Sequence, residues 1–410
     1  MKDDFLKKTK KISLDFIYNI LASIILTGTM QILVYPFLAQ CFSAVEYGQL
    51  VTIMGVVNTI TVALGTSLNN TRLLMDITYK EKKYEGDFNI ILLVSCVLSA
   101  ILLYVTSLRY FHYLKGDSLL IALISILMVF RSYITVEYRL ILNFKKILWC
   151  NVFGAIGYII GILILISGVT NWIIPFFCSE LVSLAFILKS TCIYKEALAK
   201  TPLFSKTVLK YLIIIISVAS SSIMTYFDRF FLYPTVGGEA VSIYTVASFF
   251  GKTLSVVMLP ISSVLLGYYS QKGYKMDKKK FRLMNLITIL ISFAFWMGAV
   301  VIGPFITKLL YPTLIDSARE FIPLANAAAV ISVACNMIHP SVLRFAPTYF
   351  QIIKEVLYAI VYFSLSMGLS SKYGIIGFCI AAVLSNLFKY IVIYFLGEIT
   401  FKEKNVLKRK

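Results

Sequence analysis

Six charged residues stand inside long apolar segments of this chain: Arg131, Arg229, Lys252, Lys389, Glu180 and Asp228. Charge at that depth is costly in a bilayer and marks ion or substrate pathways. Counting inward from the segment ends at about 1.5 Å per residue puts Arg131 and Lys252 at much the same depth, close to the membrane midplane. Lys389 falls toward the inner half of its segment, and Arg229 near an outer end, next to Asp228. A guanidinium offers a forked donor suited to phosphate, and an ammonium acts as a compact point charge. Arg131, Lys252, Arg229 and Lys389 are therefore the candidate substrate-binding residues of a cationic, water-filled cavity that would attract an anionic substrate. Glu180 and Asp228 are the candidate ion-coupling residues, because a carboxylate held there could exchange a proton or cation. The competing reading is that these charges pair off and hold helices together.

The elements that must carry them are transmembrane helices. The chain has 410 residues, 59% apolar and 14% charged, with a mean hydropathy of +0.84. A crossing needs about 20 apolar residues for a hydrocarbon core of about 30 Å. Twelve segments qualify, at 13–38, 47–70, 88–107, 118–137, 147–168, 172–190, 211–233, 240–268, 283–310, 320–342, 352–370 and 374–396. Of the 39 Lys and Arg, counting charges at segment ends with the loop beside them, thirty fall in the termini and every second loop, five in the opposite loops and four deep inside the segments. This is the positive-inside bias, and it predicts both termini in the cytoplasm. The basic start and the long apolar stretch after it predict a retained first helix rather than a cleaved signal peptide.

The net charge of +19 is spread over the cytoplasmic patches. It reads as topology signal and as contact with anionic membrane lipids, not as a nucleic-acid footprint. Seven cysteines form no C-x-x-C pair, and the Cys335–His339 spacing pairs only two weak ligands, so core packing outweighs a metal site. No cofactor, metal or catalytic residue is expected. Pro260, Pro304 and Pro340 should bend their helices. Gln31, Asn326 and Asn336 should face the protein interior. Tyr158, Tyr226 and Trp296 could stack on sugars, although filling interhelical space is the stronger reading.

A faint internal echo runs through the chain. Ile173-Ile174-Pro175-Phe176-Phe177-Cys178 is answered by Ile375-Ile376-Gly377-Phe378-Cys379, and Phe37-Leu38 then Glu46 by Phe231-Leu232 then Glu239. The expected organisation is an all-α polytopic membrane protein of two six-helix bundles, 1–195 and 211–410, with a cytoplasmic linker at 196–210. Six is even, so the repeat is parallel, related by a pseudo-two-fold axis along the membrane normal, and a central cavity is expected between the halves.

Several passages carry a family resemblance. Val34-Tyr35-Pro36-Phe37-Leu38 is followed by Ser43-Ala44-Val45-Glu46-Tyr47-Gly48, and Phe227-Asp228-Arg229-Phe230-Phe231-Leu232 by Ile243-Tyr244. With twelve helices in about 400 residues, the chain resembles the polysaccharide flippases of the multidrug/oligosaccharidyl-lipid/polysaccharide exporter superfamily, O-antigen flippases above all. The resemblance implies alternating access in a bacterial inner membrane. It also implies an undecaprenyl-pyrophosphate-linked oligosaccharide as substrate, carried to the periplasmic leaflet for O-antigen or lipopolysaccharide biosynthesis. A polysaccharide polymerase and a chain-length regulator are the implied partners.

Two other functions compete with this reading. A multidrug or metabolite cation antiporter of the same superfamily would favour an anionic cavity, whereas the deep charges here lean positive. A membrane polymerase or ligase needs a substantial outer loop with an acid–base pair, and the outer loops here are short.

Overall fold

A computed structural model describes residues 17–269 and 276–406, except the side chains at 259–260, 263–264, 267–268, 348–349 and 402–406. The start Met1–Lys11, residues 271–275 of the basic loop, the end of the tail and the ring of Pro260 lie outside the described residues. The described chain is helical, with no strand. Lipid offers the backbone no hydrogen-bond partner, and a helix satisfies its own.

Nine helices are long and apolar enough to cross a membrane among the described residues. They include α1 (Ile17–Cys41), α2 (Ala44–Lys82), α3 (Asp87–Arg109), α4 (Lys115–Leu140) and α5 (Phe144–Ile166). The 17-residue α6 (Ile174–Ser190) is apolar and shorter. Next come α7 (Phe204–Thr225, continued after Tyr226 as Phe227–Thr235) and α8 (Gly238–Ala247 and Phe249–Tyr269), whose two parts are bent by 59°. Then α9 (Lys278–Val301) and α10 (Ile315–Phe345) follow. The last helical run, Phe350–Phe401, has 52 residues, and as one rod it would be about 78 Å long, more than twice a bilayer core. Gly374 breaks it with φ 57° and ψ −131°, a conformation open to glycine. Side chains then pair in reverse order: Tyr362 with Phe378, Tyr358 with Asn386, and Glu355 with Lys389. The run is therefore an antiparallel hairpin of α11 (350–373) and α12 (375–401), the last two of the twelve helices named here among the described residues.

The expected echo lands on equivalent places. Glu46 sits in the first turn of α2 and Glu239 in the first turn of α8. The α2 start is a capping box: Ser43 N–H and Oγ donate to Glu46 Oε2 at 2.9 and 2.7 Å, and Glu46 N–H returns a bond to Ser43 Oγ. The Ile-Ile-Pro-Phe and Ile-Ile-Gly-Phe passages both open the sixth helix of a set, α6 and α12.

The chain packs as two compact units, one of residues 1–38 and 49–230, the other of 39–48 and 231–410. In unit 1 the stretch after α6 is fastened down by polar groups. Arg72 forms a forked pair with Glu196 at 2.9 and 2.6 Å. Glu137 accepts from the N–H groups of Cys192 and Ile193, and Asp87 from that of Thr201. In unit 2 the turn before α2 is built in. Ser242 Oγ donates to the Ala44 carbonyl, Gln40 donates to that of Leu310, and a Cβ on Gly48 would run into the Gly238 carbonyl.

Candidate functional site

In unit 1 the site begins with a close helix pair. Gly154, Gly157 and Gly161 lie one turn apart on α5 and face α6; a Cβ on Gly157 would stand 2.5 Å from Ser179 Cα and 2.6 Å from the Cys178 carbonyl. Small residues at this spacing let backbones approach, and the next residue on α6 is Glu180. Glu180 meets Arg131 of α4 through two hydrogen bonds, Nε to Oε2 at 2.6 Å and Nη2 to Oε1 at 2.8 Å. The side chains are 21% exposed for Arg131 and 5% for Glu180. A π-turn at Val62–Thr66 in α2 packs beside them, with Gly65 against Val129 and Ser132 and Thr66 Oγ1 at 3.1 Å from Ser132 Oγ. Tyr158 closes the other side, edge-on to Phe176 at 5.9 Å, and so fills interhelical space.

Asp228 and Arg229 also belong to unit 1, just past the break at Tyr226, and both are buried. Arg229 donates to the Val51 carbonyl at 3.1 Å and lies over the Tyr226 ring at 5.1 Å. Hydrogen bonding thus ties it to α2.

In unit 2 the site is organised by a broken helix. The Ala247 carbonyl and the Gly251 N–H stand four residues apart, the spacing of one helical hydrogen bond. Asn326 of α10 takes both: its Oδ1 accepts from Gly251 N–H at 2.6 Å and its Nδ2 donates to the Ala247 carbonyl at 2.8 Å. The side-chain amide splints the 59° bend, which is how a broken membrane helix keeps its backbone satisfied. Lys252 follows immediately, with Nζ 5.2 Å from the Tyr244 ring centre. As expected, Asn326 faces the interior; Trp296 donates to the Pro323 carbonyl at 2.9 Å, a packing contact.

A second cluster joins α10, α11 and α12. Lys389 Nζ is 3.5 Å from Glu355 Oε2 and 4.3 Å from the Tyr358 ring centre. Lys354 Nζ is 3.0 Å from Glu355 Oε1 and 3.3 Å from Gln351 Oε1. His339 Nε2 lies 3.0 Å from the same amide oxygen. Lys354 is only 2% exposed, while the Glu355 side chain is 49% exposed.

Of the six expected site residues, the structure brings Arg131 and Glu180 directly together, although one was expected at the substrate and the other at an ion. It places Lys389 beside Lys354 and Glu355, which sequence reasoning missed. Lys354 falls in the first turns of a helix that starts on the inner side and so reads as one more inner-face charge. Its signal was positional: it lies a helical turn before Tyr358, on the face that Lys389 meets.

No family model and no curated protein matches this chain. Solved structures do. The lipid II flippase MurJ in an inward closed conformation is similar at TM-score 0.65 and 16% identity, covering 94% of this chain and 86% of that one. An inward-facing multidrug resistance MATE family transporter of the MOP superfamily is similar at TM-score 0.62 and 14% identity, covering 95% of both. The Vibrio cholerae MATE transporter VcmN in its bent form is similar at TM-score 0.60 and 12% identity, covering 97% and 99%. The chain shares the fold of these proteins. At these identities the likeness is one of fold, shared by a flippase and by drug transporters alike.

Proposed function

We propose that this protein is a flippase that carries a lipid-linked oligosaccharide bearing a diphosphate from the cytoplasmic to the outer leaflet of a bacterial inner membrane by alternating access. The observation that carries this reading is the distribution of deep charge. In unit 1 Arg131 is matched by Glu180, and Arg229 stands beside Asp228. In unit 2 Lys354 and Lys389 share a single carboxylate, Glu355, and Lys252 lies over the Tyr244 ring. A surplus of fixed cations in a low-dielectric interior suits an anionic substrate, since it replaces the water that a diphosphate would lose. The lipid tail stays in the bilayer. Arg131, Lys252 and Lys389 are the proposed substrate-facing cations, and Glu180 is the group that orients Arg131.

A multidrug cation antiporter has the same fold, as the MATE neighbours show of themselves. It needs a carboxylate available to a cationic drug or proton, and both oxygens of Glu180 are taken by Arg131. The positive-inside bias supports both termini in the cytoplasm, and the product would pass to a polymerase and its chain-length regulator. The O-antigen repeat is the sugar that the sequence resemblance favours.

The test is a deletion strain whose lipid-linked glycans are probed in sealed spheroplasts with an added glycosidase. Single repeats that accumulate out of the enzyme's reach, rescued by the native gene and not by Lys252→Ala, support the flippase. Single repeats exposed on the outer face, or unchanged glycans with lost drug resistance, overturn it.

A further inference from the structure

The α10–α12 cluster has an unusual division of burial. Lys354 is 2% exposed and the Lys389 side chain 17%, so the two ammonium groups are fixed inside the protein. Their shared counter-ion is the exposed partner, with Glu355 49% exposed. Among the described residues, two buried cations against one carboxylate leave the cluster one positive charge in excess, and a buried charge without full compensation is costly. The donors are in surplus as well. Gln351 Oε1 is engaged by Lys354 and His339, yet Gln351 Nε2, bonded to the same carbon, is buried with no hydrogen-bond partner among the described residues. An orphaned buried donor calls for an explanation, and an unfilled ligand position is one.

We propose that Lys354, Lys389 and Gln351 form a phosphate-binding site in unit 2, in which the Glu355 carboxylate occupies the place of the ligand's phosphate. The inference deepens the flippase reading and rests on it for its biological ligand. A carboxylate and a phosphate present the same acceptor oxygens to ammonium groups, and a phosphate brings more of them and more charge. Glu355 can leave because its side chain reaches the exposed side of α11, whereas the lysines cannot follow it. When it swings out, two Nζ groups face the vacated position, and the Gln351 amide beside Lys354 has an N–H still to be paired. When no ligand is present its return neutralises the lysines, so the resting protein does not hold two unpaired buried cations. The carboxylate is thus a built-in competitor, and affinity for phosphate is set by the difference between the two anions. The source of the phosphate is either the diphosphate of a polyprenyl carrier or a free diphosphate, and the same donors serve both.

Binding to purified full-length protein in detergent tests this without any export assay. The probes are inorganic pyrophosphate and farnesyl diphosphate, titrated by calorimetry. Glu355→Gln keeps the shape of the side chain and removes its charge, and it should bind at least tenfold more tightly than native protein. Adding Lys389→Met or Lys354→Met to that variant should abolish the gain. The thermal midpoint of Glu355→Gln should fall and be restored by pyrophosphate, not by chloride of equal ionic strength. Tightening toward both probes fits a site that reads diphosphate alone, and tightening toward farnesyl diphosphate only fits a carrier lipid. Unchanged affinity in Glu355→Gln, or binding that survives loss of both lysines, overturns the site. Spheroplasts keep the two readings apart: normal repeat export by Lys354→Met with diphosphate binding lost overturns the site's place in transport and leaves the flippase standing. Normal export in the deletion strain removes the flippase while the binding result stands.

Discussion

Arg131 and Glu180 are joined by two parallel hydrogen bonds, 2.6 and 2.8 Å long, between α4 and α6 of one unit. A buried forked pair of this kind costs desolvation on both sides, and its value shows most clearly when one partner is removed.

The pair therefore separates structure from transport. Glu180→Gln leaves a guanidinium without its counter-charge and should lower stability by about 3 kcal/mol. Arg131→Met should do much the same. The double variant Arg131→Met with Glu180→Leu replaces the pair by apolar groups and should recover most of the thermal midpoint in detergent. If Arg131 meets substrate, the recovered protein still fails to export repeats. Export by the stable double variant would show that the pair serves only to hold α4 to α6.

The sequence made the crossings legible because apolar run length and basic loops are both consequences of the bilayer. It also pointed to Arg131, Glu180 and Lys389 as buried charges. Their partners were not legible, since pairing depends on which helix faces which. Glu180 reaches Arg131 only because three glycines on α5 bring α6 close. Lys354 was hidden for a different reason: near a helix end, a lysine that snorkels to the interface and one that turns inward look the same in sequence. The fastening of residues 191–201 by Glu137, Asp87 and Arg72 was hidden too, because those acids and bases lie far apart in the chain.

The glycine face of α5 gives a second test. Ala at 157 would place its Cβ 2.6 Å or less from backbone atoms of Cys178 and Ser179, and backbone cannot yield as a side-chain tip can. Overpacking of this sort costs about 1–3 kcal/mol. Gly157→Ala should accordingly lower the thermal midpoint, and it should impair export because Glu180 moves with α6. Gly298 in α9 is the control: a Cβ there meets nothing within 4 Å. Gly298→Ala should leave the midpoint unchanged or raise it, by up to about 1 kcal/mol from helix propensity. Equal losses in the two variants would mean that the α5–α6 approach is not what the small residues provide.

Asn326 gives the third. Its amide donates to the Ala247 carbonyl and accepts from the Gly251 N–H, and a further bond from Nδ2 to the Ile322 carbonyl at 2.8 Å fixes its rotamer. Only a group with a donor and an acceptor side by side can span both halves of a broken helical hydrogen bond. Asp lacks the donor, Leu lacks both, and each would leave a buried backbone group unpaired at about 1–3 kcal/mol apiece. Two outcomes are open to the helix once the splint is gone: it can straighten and remake the bond from 251 to 247, or keep its bend with the groups unsatisfied. Straightening would carry Lys252 away from the Tyr244 ring, because the residue follows the break directly. Asn326→Leu should therefore lose export more completely than it loses stability, while Asn326→Gln, with the same amide on a longer arm, should recover part of both. The measurement pairs a thermal midpoint with the spheroplast assay on each variant. Normal export by a stable Asn326→Leu would show that the bend, and the place it gives Lys252, is not used in transport.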